Sequence, residues 1–167
     1  MTEASGAFDF VAGLAHYEDG ARTAVRLNRR HAVLIAPFAE EIAGARVLDL
    51  ASHDGRWAYA FAEAGAAEVV GIEARAELIA RFEAYPDAGL KAKVRLRQGD
   101  LFEGMEAAIA AGETYDVVSV FGILYHVMDH FRLFQLVRRL VVEDEGQAVD
   151  VDAARGDVSG DEELHAL

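Results

Sequence analysis

Residues 47–56 read Val-Leu-Asp-Leu-Ala-Ser-His-Asp-Gly-Arg, and residues 69–73 read Val-Val-Gly-Ile-Glu. Each aliphatic run predicts a buried strand of a parallel sheet. The small residues after the first run predict a tight turn, and the residues from Gly55 onward predict a helix that leads to the second strand. Together the two stretches predict a β-α-β unit with an acid, Glu73, at the end of its second strand.

The turn after the first predicted strand has the composition of a ligand-binding loop. Such a loop offers backbone N–H groups to its ligand and therefore needs small residues, here Gly55, Ala51 and Ser52. Asp54 is expected to cap the following helix. Glu73 lies 22 residues beyond Ala51, about where a strand-end carboxylate accepts hydrogen bonds from both hydroxyls of a ribose. The spacing predicts an adenosine-type cofactor.

These residues resemble motif I and the following acidic motif of the class I S-adenosylmethionine-dependent methyltransferases. The family usually has Asp-x-Gly-x-Gly-x-Gly after its first strand, whereas this chain has Asp49 and Gly55 but Ala51 and His53 at the first two glycine positions. The resemblance implies a Rossmann-like, doubly wound, mostly parallel α/β sheet, S-adenosylmethionine as cofactor, and methyl transfer. A nicotinamide-dependent oxidoreductase is opposed by the absence of G-x-G-x-x-G and of a Ser-Tyr-Lys type catalytic set.

Two further stretches continue the resemblance in the family's order. Residues 94–101 predict a third strand that ends in an acid, so Asp100 is implied to bind the adenine amino group, with Leu101 as the adjacent contact. Residues 115–127 resemble the fourth strand and the loop that leads to the substrate, and Phe121 is implied to line the methyl-transfer site. The four motifs together span about 80 residues.

The candidate site residues have structural alternatives that the sequence leaves open. Asp49 is expected in the cofactor pocket and His53 near the methionine part of the cofactor, while Tyr125 and His126 are the candidate catalytic pair, with His126 as general base. The expected cofactor-binding residues are Asp49, Ala51, Ser52, His53, Gly55, Glu73, Asp100, Leu101 and Phe121. The alternatives are a polar strand end for Asp49, a helix-start glycine for Gly55, a solvated acid for Glu73, a helix cap for Asp100 and a packed histidine for His126.

Residues 122–126, with residues 70–73 upstream, are also similar to segments of the tRNA wobble-uridine carboxymethyltransferase family. That family follows the histidine with basic residues and adds an RNA-binding extension. Here Val127, Met128 and Asp129 follow instead. The resemblance therefore indicates subfamily kinship, without the carboxylated cofactor or the tRNA substrate.

The chain divides by pattern into three parts. Residues 1–45 are expected to form a helical lead-in. Within it, residues 1–20 lack a clear period and are expected to be loose or partner-dependent, and residues 22–43 form an amphipathic helix that Pro37 bends or splits. Residues 46–152 form the expected cofactor-binding core, with strands near 46–50, 67–72, 93–97, 115–121 and 147–151. Residues 153–167 are expected to be a flexible acidic tail. In the lead-in helix the expected buried positions are Val25, Leu27, Val33, Leu34, Phe38 and Ile42.

Composition narrows the class of protein and of partner. The 167 residues are 53% hydrophobic and 27% charged, which predicts one domain, and no apolar run or leader indicates a membrane span or secretion. The absence of cysteine is compatible with a cytoplasmic location, and the histidine spacing predicts no metal site. The net charge is −13, which favours a small-molecule acceptor over nucleic acid. The four arginines at positions 22, 26, 29 and 30 leave RNA as an alternative substrate.

The end of the chain departs from the family, whose sheet has seven strands. About 15 residues with little apolar content follow the fifth predicted strand, so part of the usual C-terminal β-hairpin is expected to be missing. A minimal variant, a fragment, and a homodimer that covers the sheet edge are the alternatives. The function expected is methyl transfer to a small molecule, and the alternative is a non-catalytic or partner-dependent S-adenosylmethionine-binding subunit.

Overall fold

The computed structural model describes residues 6–142, and its centre is a four-stranded parallel sheet. The strands are β1 (Arg46–Leu50), β2 (Glu68–Glu73), β3 (Val94–Gln98) and β4 (Val117–Ser119), in the spatial order β3-β2-β1-β4. β1 lies in the middle, with Leu48 opposite Val70 on one side and Val118 on the other. Because all pairings are parallel, the carboxyl ends of the strands meet at one edge of the sheet.

Helices connect the strands and cover both faces of the sheet. Short 3-10 turns at Asp9–Gly13, Ala36–Phe38, Ala80–Ala84 and Leu124–His126 supplement them. The helices are α1 (Gly20–Leu34), α2 (Ala39–Ile42), α3 (Arg56–Glu63), α4 (Ala76–Ile79), α5 (Ala88–Ala92), α6 (Leu101–Ala110) and α7 (His130–Leu140).

Alternate residues of the central strands face two different cores. Val47 and Val69 pack with Phe61 in the core that contains α3 and the N-terminal segment, which comprises residues 6–19. Leu48 and Val70 point the other way, into the core that contains α6 and α7. Since both faces of β1 and β2 are buried under helices, these two strands are mostly apolar rather than alternating. The edge strand β3 alternates between apolar and polar residues. The predicted doubly wound α/β fold is confirmed for the described part of the chain.

The predicted interruption of the first helix is confirmed. α1 ends at Leu34, and the 3-10 turn around Pro37 separates it from α2, because proline lacks the N–H of the helical ladder. The expected burial of this segment is only partly right. Leu27 and Ile42 are buried, but the positions that face outward are Val25, Val33 and Phe38.

The expectation of a loose, periodless lead-in is wrong for residues 6–19. Phe8 and Val11 are fully buried in the core that contains α3, and the ring of Phe8 lies 5.2 Å from that of Trp57. A single 3-10 turn brings these two residues inward, and a turn this short has no helical period to detect. The lead-in therefore packs against the sheet domain.

The fifth strand predicted at residues 147–151 and the acidic segment 153–167 lie outside the described residues. After α7, Val141 forms a parallel bridge with Tyr115, so the chain reaches the sheet beside β4 at that point. Among the helices of residues 6–142, none has the length and hydropathy needed to cross a membrane.

Candidate functional site

The loop between β1 and α3 has a positive, left-handed φ angle at every second residue. Ala51, His53 and Gly55 have φ angles of 56°, 56° and 77°. These are the three positions at which the motif Asp-x-Gly-x-Gly-x-Gly has glycine. Other L-residues rarely adopt this left-handed region, because their Cβ crowds the backbone. Ala51 and His53 therefore adopt the left-handed conformation that glycine adopts most easily, and only Gly55 in this loop is a glycine.

Hydrogen bonds fix this loop to the neighbouring strand. The N–H of Ser52 donates to the carbonyl oxygen of Ile72 at 2.9 Å, and the N–H of His53 donates to Oε2 of Glu73 at 3.0 Å. The N–H of Gly55 donates to the carbonyl oxygen of Ser52 at 2.9 Å. The Ser52 side chain is buried and faces Gly71, where an added Cβ would lie 2.7 Å from its Oγ. Ser52 thus acts through its backbone and its small size.

Gly55 is required by packing as well as by its φ angle. A Cβ at this position would lie 2.6 Å from Cδ2 of Phe82 and 3.0 Å from Cδ1 of Leu96. Both side chains belong to the layer beneath the loop. The structural reason for this glycine is therefore contact with the protein, and its contact with a cofactor stays a prediction.

Glu73 ends β2 with an ordered, buried carboxylate. Its Oε1 accepts from the backbone N–H of Arg75 at 3.0 Å and from Nε of Arg75 at 2.8 Å, while Oε2 accepts from His53. Burial opposes ionisation, but the hydrogen bonds from Arg75 outweigh it and lower the pKa of Glu73. Glu73 is consequently an ionised acceptor held in one orientation.

A cleft of about 340 Å³ lies at the carboxyl edge of the sheet, over β1, β2 and β3. Five of the predicted site residues line it, which are Ala51, Glu73, Asp100, Leu101 and His126. The other lining residues are Ile72, Ala74, Arg75, Gly99 and Ile123. The cleft has the size of small-molecule sites and combines apolar walls with a few polar groups.

Asp100 caps a helix and also lines the cleft, while its binding of adenine stays a prediction. Its Oδ1 accepts from the N–H groups of Phe102 and Glu103 at 2.9 and 3.2 Å, so it caps α6. The same residue lines the cleft, and within residues 6–142 its Oδ2 accepts no hydrogen bond. A helix cap and a ligand acceptor are thus compatible on this one carboxylate.

The predicted catalytic pair lies on the 3-10 turn after β4. The rings of Tyr125 and His126 contact each other with centroids 4.2 Å apart. His126 lines the cleft, whereas Tyr125 is 79% exposed and is not among the lining residues. Of the two, only His126 is placed to meet a ligand in the cleft.

Asp49 lies beneath the loop and does not line the cleft. Its Oδ1 accepts from Oγ of Ser119 at 2.6 Å, and its Oδ2 has no hydrogen-bond partner among the described residues. Burial raises the pKa of Asp49 to about 7. Ser119 could not be predicted as the partner of Asp49, since their contact joins positions 70 residues apart.

Phe121 lines a different hollow from the cleft. Its ring stacks on Phe61 with centroids 6.0 Å apart and meets Trp57 edge-on at 5.5 Å. The hollow, of about 410 Å³, lies between β4, α2 and α3. A cofactor contact for Phe121 stays a prediction that the geometry of the cleft does not favour.

The expectation that Asp54 caps α3 is wrong. Gly55 occupies the cap position, and Asp54 is instead the buried centre of a charged cluster. Asp54 accepts from the hydroxyl of Tyr17 at 2.5 Å and from Nε of Arg56 at 2.6 Å. Burial opposes its ionised form, but hydrogen bonds from His53 and Arg56 hold the pKa of Asp54 well below its usual range. The spacing of Asp54 and Arg56, two residues apart, is the signal in the sequence that could have predicted this ion pair.

A family model described as "Methyltransferase domain" matches residues 47–144 of this chain. A search of curated proteins found no match. The match begins at β1 and includes the loop, Glu73, Asp100 and the turn that carries His126.

Solved structures add two comparisons. The N-terminal domain of EvdMO1, solved with SAH (S-adenosylhomocysteine) bound, is 28% identical, with a TM-score of 0.51 over 63% of this chain and 43% of that chain. The SAM-dependent methyltransferase from Agrobacterium tumefaciens is 19% identical, with a TM-score of 0.53 over 67% of this chain and 41% of that chain. The latter supports the fold alone.

This chain spans less than two thirds of the solved chains compared with it, between 25% and 62% of their lengths. The comparisons leave the wobble-uridine subgroup a prediction. Since the family match covers more than half of the residues and coincides with the sheet, the loop and the cleft, the chain belongs to the methyltransferase domain family.

Proposed function

We propose that the chain binds S-adenosylmethionine in the 340 Å³ cleft and transfers its methyl group to a small-molecule acceptor. The observation that carries this proposal is the juxtaposition of the left-handed loop, the oriented Glu73 carboxylate and the cleft at one edge of the sheet. The bound SAH in the N-terminal domain of EvdMO1, a 28% identical neighbour, supports it.

The donor groups of the cleft fit the parts of this cofactor. The ionised Glu73 carboxylate has about four acceptor sites and accepts three hydrogen bonds, so one site remains for a ribose hydroxyl. Displacement of the exposed Arg75 side chain would free a second site. The free Oδ2 of Asp100 suits the adenine amino group, with Leu101 as an apolar contact. The small side chain of Ala51 leaves the loop accessible to the methionine end.

The chemistry places modest demands on the chain. S-adenosylmethionine supplies an electrophilic sulfonium methyl group. The protein has to align a nucleophilic oxygen, nitrogen or carbon with that methyl and to exclude water. His126, which lines the cleft, is the residue proposed to take a proton from the acceptor. Tyr125 would act through its ring contact with His126.

Isothermal titration with SAH tests the cofactor site. Wild-type protein is expected to bind, and Glu73→Gln should weaken binding at least about tenfold, because a neutral amide gives up a charge-assisted acceptor. Glu40→Gln is the matched control, since Glu40 is an exposed acid of α2 outside the cleft. A folded wild type that binds no SAH would contradict the proposal.

A non-catalytic or partner-dependent subunit is the second candidate. It is favoured by the apolar hollow of about 410 Å³ that the described residues form between β4, α2 and α3. A homodimer is one way to cover that hollow, and light scattering of the purified chain measures it. Turnover of an acceptor by the isolated monomer would exclude this candidate.

An anionic acceptor is the third candidate, and it rests on α1. Arginines 22, 26, 29 and 30 line a groove of about 580 Å³. Guanidinium groups in this density suit phosphates. RNA binding that weakens steeply as the salt concentration is raised would favour an anionic acceptor over a neutral small molecule.

A further inference from the structure

We propose that Tyr17 is a positioning residue for the cofactor-binding loop, which it holds in its left-handed conformation through Asp54. The loop comprises residues 51–55, and Tyr17 belongs to the N-terminal segment. This inference rests on the proposed function only where it concerns cofactor affinity. The conformational part concerns the chain by itself.

The loop needs restraint from outside because two of its left-handed positions are not glycine. Ala51 and His53 both have φ angles of 56°, where a Cβ is crowded by the backbone. Residues in sparsely populated regions persist only where the surroundings over-determine them. On the β2 side, Ile72 and Glu73 accept the N–H groups of the loop. On the opposite side the restraint comes through Asp54.

Asp54 is a buried anion whose partners come from two directions. Oδ1 and Oδ2 accept from Arg56 at 2.6 and 3.0 Å, and Oδ2 also accepts from the Tyr17 hydroxyl at 2.5 Å. Arg56 follows the loop directly, so its bonds are local. Tyr17 is 37 residues away in sequence and ties the carboxylate to a different segment. A buried charge that loses a partner moves toward another or toward water.

The segment that carries Tyr17 is itself anchored. Phe8 and Val11 are fully buried, and the N–H of Phe8 donates to Oδ1 of Asn28 on α1 at 2.8 Å. The N–H of Tyr17 donates to the carbonyl oxygen of Leu14 at 3.2 Å. The Tyr17 hydroxyl therefore has a fixed position from which to restrain Asp54 and, through the backbone, residues 53 and 55.

The matched control is a buried tyrosine in the other core. The hydroxyl of Tyr115 donates to Oε2 of Glu113 at 2.6 Å, and its ring packs in the core that contains α6 and α7. Tyr17→Phe and Tyr115→Phe thus delete the same atom and the same kind of hydrogen bond to a carboxylate. The first deletion lies beside the loop and the second does not.

Amide hydrogen exchange of the ligand-free protein is the first test. In Tyr17→Phe, the amides of Ser52 and His53 should exchange about tenfold faster, as expected for the loss of one hydrogen bond to a charged group, while β2 amides keep their rates. Tyr115→Phe should match wild type at the amides of Ser52 and His53. Unchanged loop exchange in Tyr17→Phe, or equal acceleration across β2, overturns the proposal.

Titration with SAH and with adenosine is the second test. Tyr17→Phe should weaken SAH binding about tenfold and leave adenosine binding within about twofold, because Glu73 and Asp100 hold the nucleoside and the loop holds the methionine end. Parallel losses for both ligands indicate a general structural role and overturn it. If wild type binds neither ligand, the proposed function fails, and the exchange result alone decides the role of Tyr17.

Discussion

At the residue scale, Asp49 shows how one buried group sets a pH dependence. Its carboxyl group is fully enclosed, receives one hydrogen bond from Ser119, and has a pKa raised to about 7 by burial. The folded state therefore binds this proton more tightly than the unfolded state does. Between the two pKa values, about 4 and 7, folding stability should fall as the pH rises.

Asp49→Asn should remove this contribution, since an amide keeps the acceptor for Ser119 and does not titrate. Between pH 5 and 7 the free energy of unfolding of wild type, relative to the variant, should fall by at most about 1.4 kcal/mol per pH unit. Wild type and variant have to be compared with each other, because the lowered pKa values of His16 and His31 make the stability of both proteins rise with pH. Urea unfolding at three pH values measures it, and identical slopes would contradict the prediction.

At the element scale, the structure separates what local pattern determines from what distant contacts determine. β1, β2 and the break at Pro37 follow from aliphatic runs and from proline chemistry, so the sequence predicts them. Glu73 was predicted from its spacing and Asp100 from the family resemblance. Both line one cleft because the carboxyl ends of parallel strands meet at one edge. The Tyr17–Asp54 contact joins segments 37 residues apart, and no periodicity encodes it. The burial of Phe8 has the same origin.

Asp100, at the start of α6, offers a test that separates a helix cap from a ligand acceptor. Asp100→Asn keeps an oxygen for the N–H groups of Phe102 and Glu103, so the melting temperature should stay within a few degrees of wild type. Its amide nitrogen cannot accept from adenine, so affinity for SAH should fall about tenfold if the amide turns its oxygen to the helix.

Asp100→Ala should lose both roles, and its helix-cap loss should cost about 1 kcal/mol of stability. Chemical unfolding and isothermal titration of the two variants measure these effects separately. Equal affinity of Asp100→Asn and wild type for SAH would remove Asp100 from the proposed adenine site and leave it as a cap.

At the scale of the whole molecule, the N-terminal segment and the sheet domain share one core. Phe8 contacts the rings of Phe10, His31 and Trp57, which belong to the lead-in, α1 and α3. Phe8→Ala should therefore destabilise the entire domain by about 3–5 kcal/mol, in one cooperative transition. Phe131→Ala is the control, since Phe131 on α7 is 74% exposed and should shift stability by about 0.5 kcal/mol or less.

Circular dichroism and tryptophan fluorescence, followed in the same urea titration, distinguish the outcomes. Trp57 reports on the contact with Phe8, and circular dichroism reports on all helices. Coincident, shifted transitions in Phe8→Ala are expected. An early fluorescence change with unshifted circular dichroism would mean that the N-terminal segment detaches independently of the sheet.

The left-handed turns at residues 51, 53 and 55 bear on how such loops are recognised and how they diverge. A search string written in glycines would miss two of the three positions, although all three have the positive φ angles that glycine adopts most readily. In this chain the restraint that glycine would make unnecessary comes from neighbours such as Glu73 and Asp54. Loops of this kind are better compared by torsion angles than by residue identity.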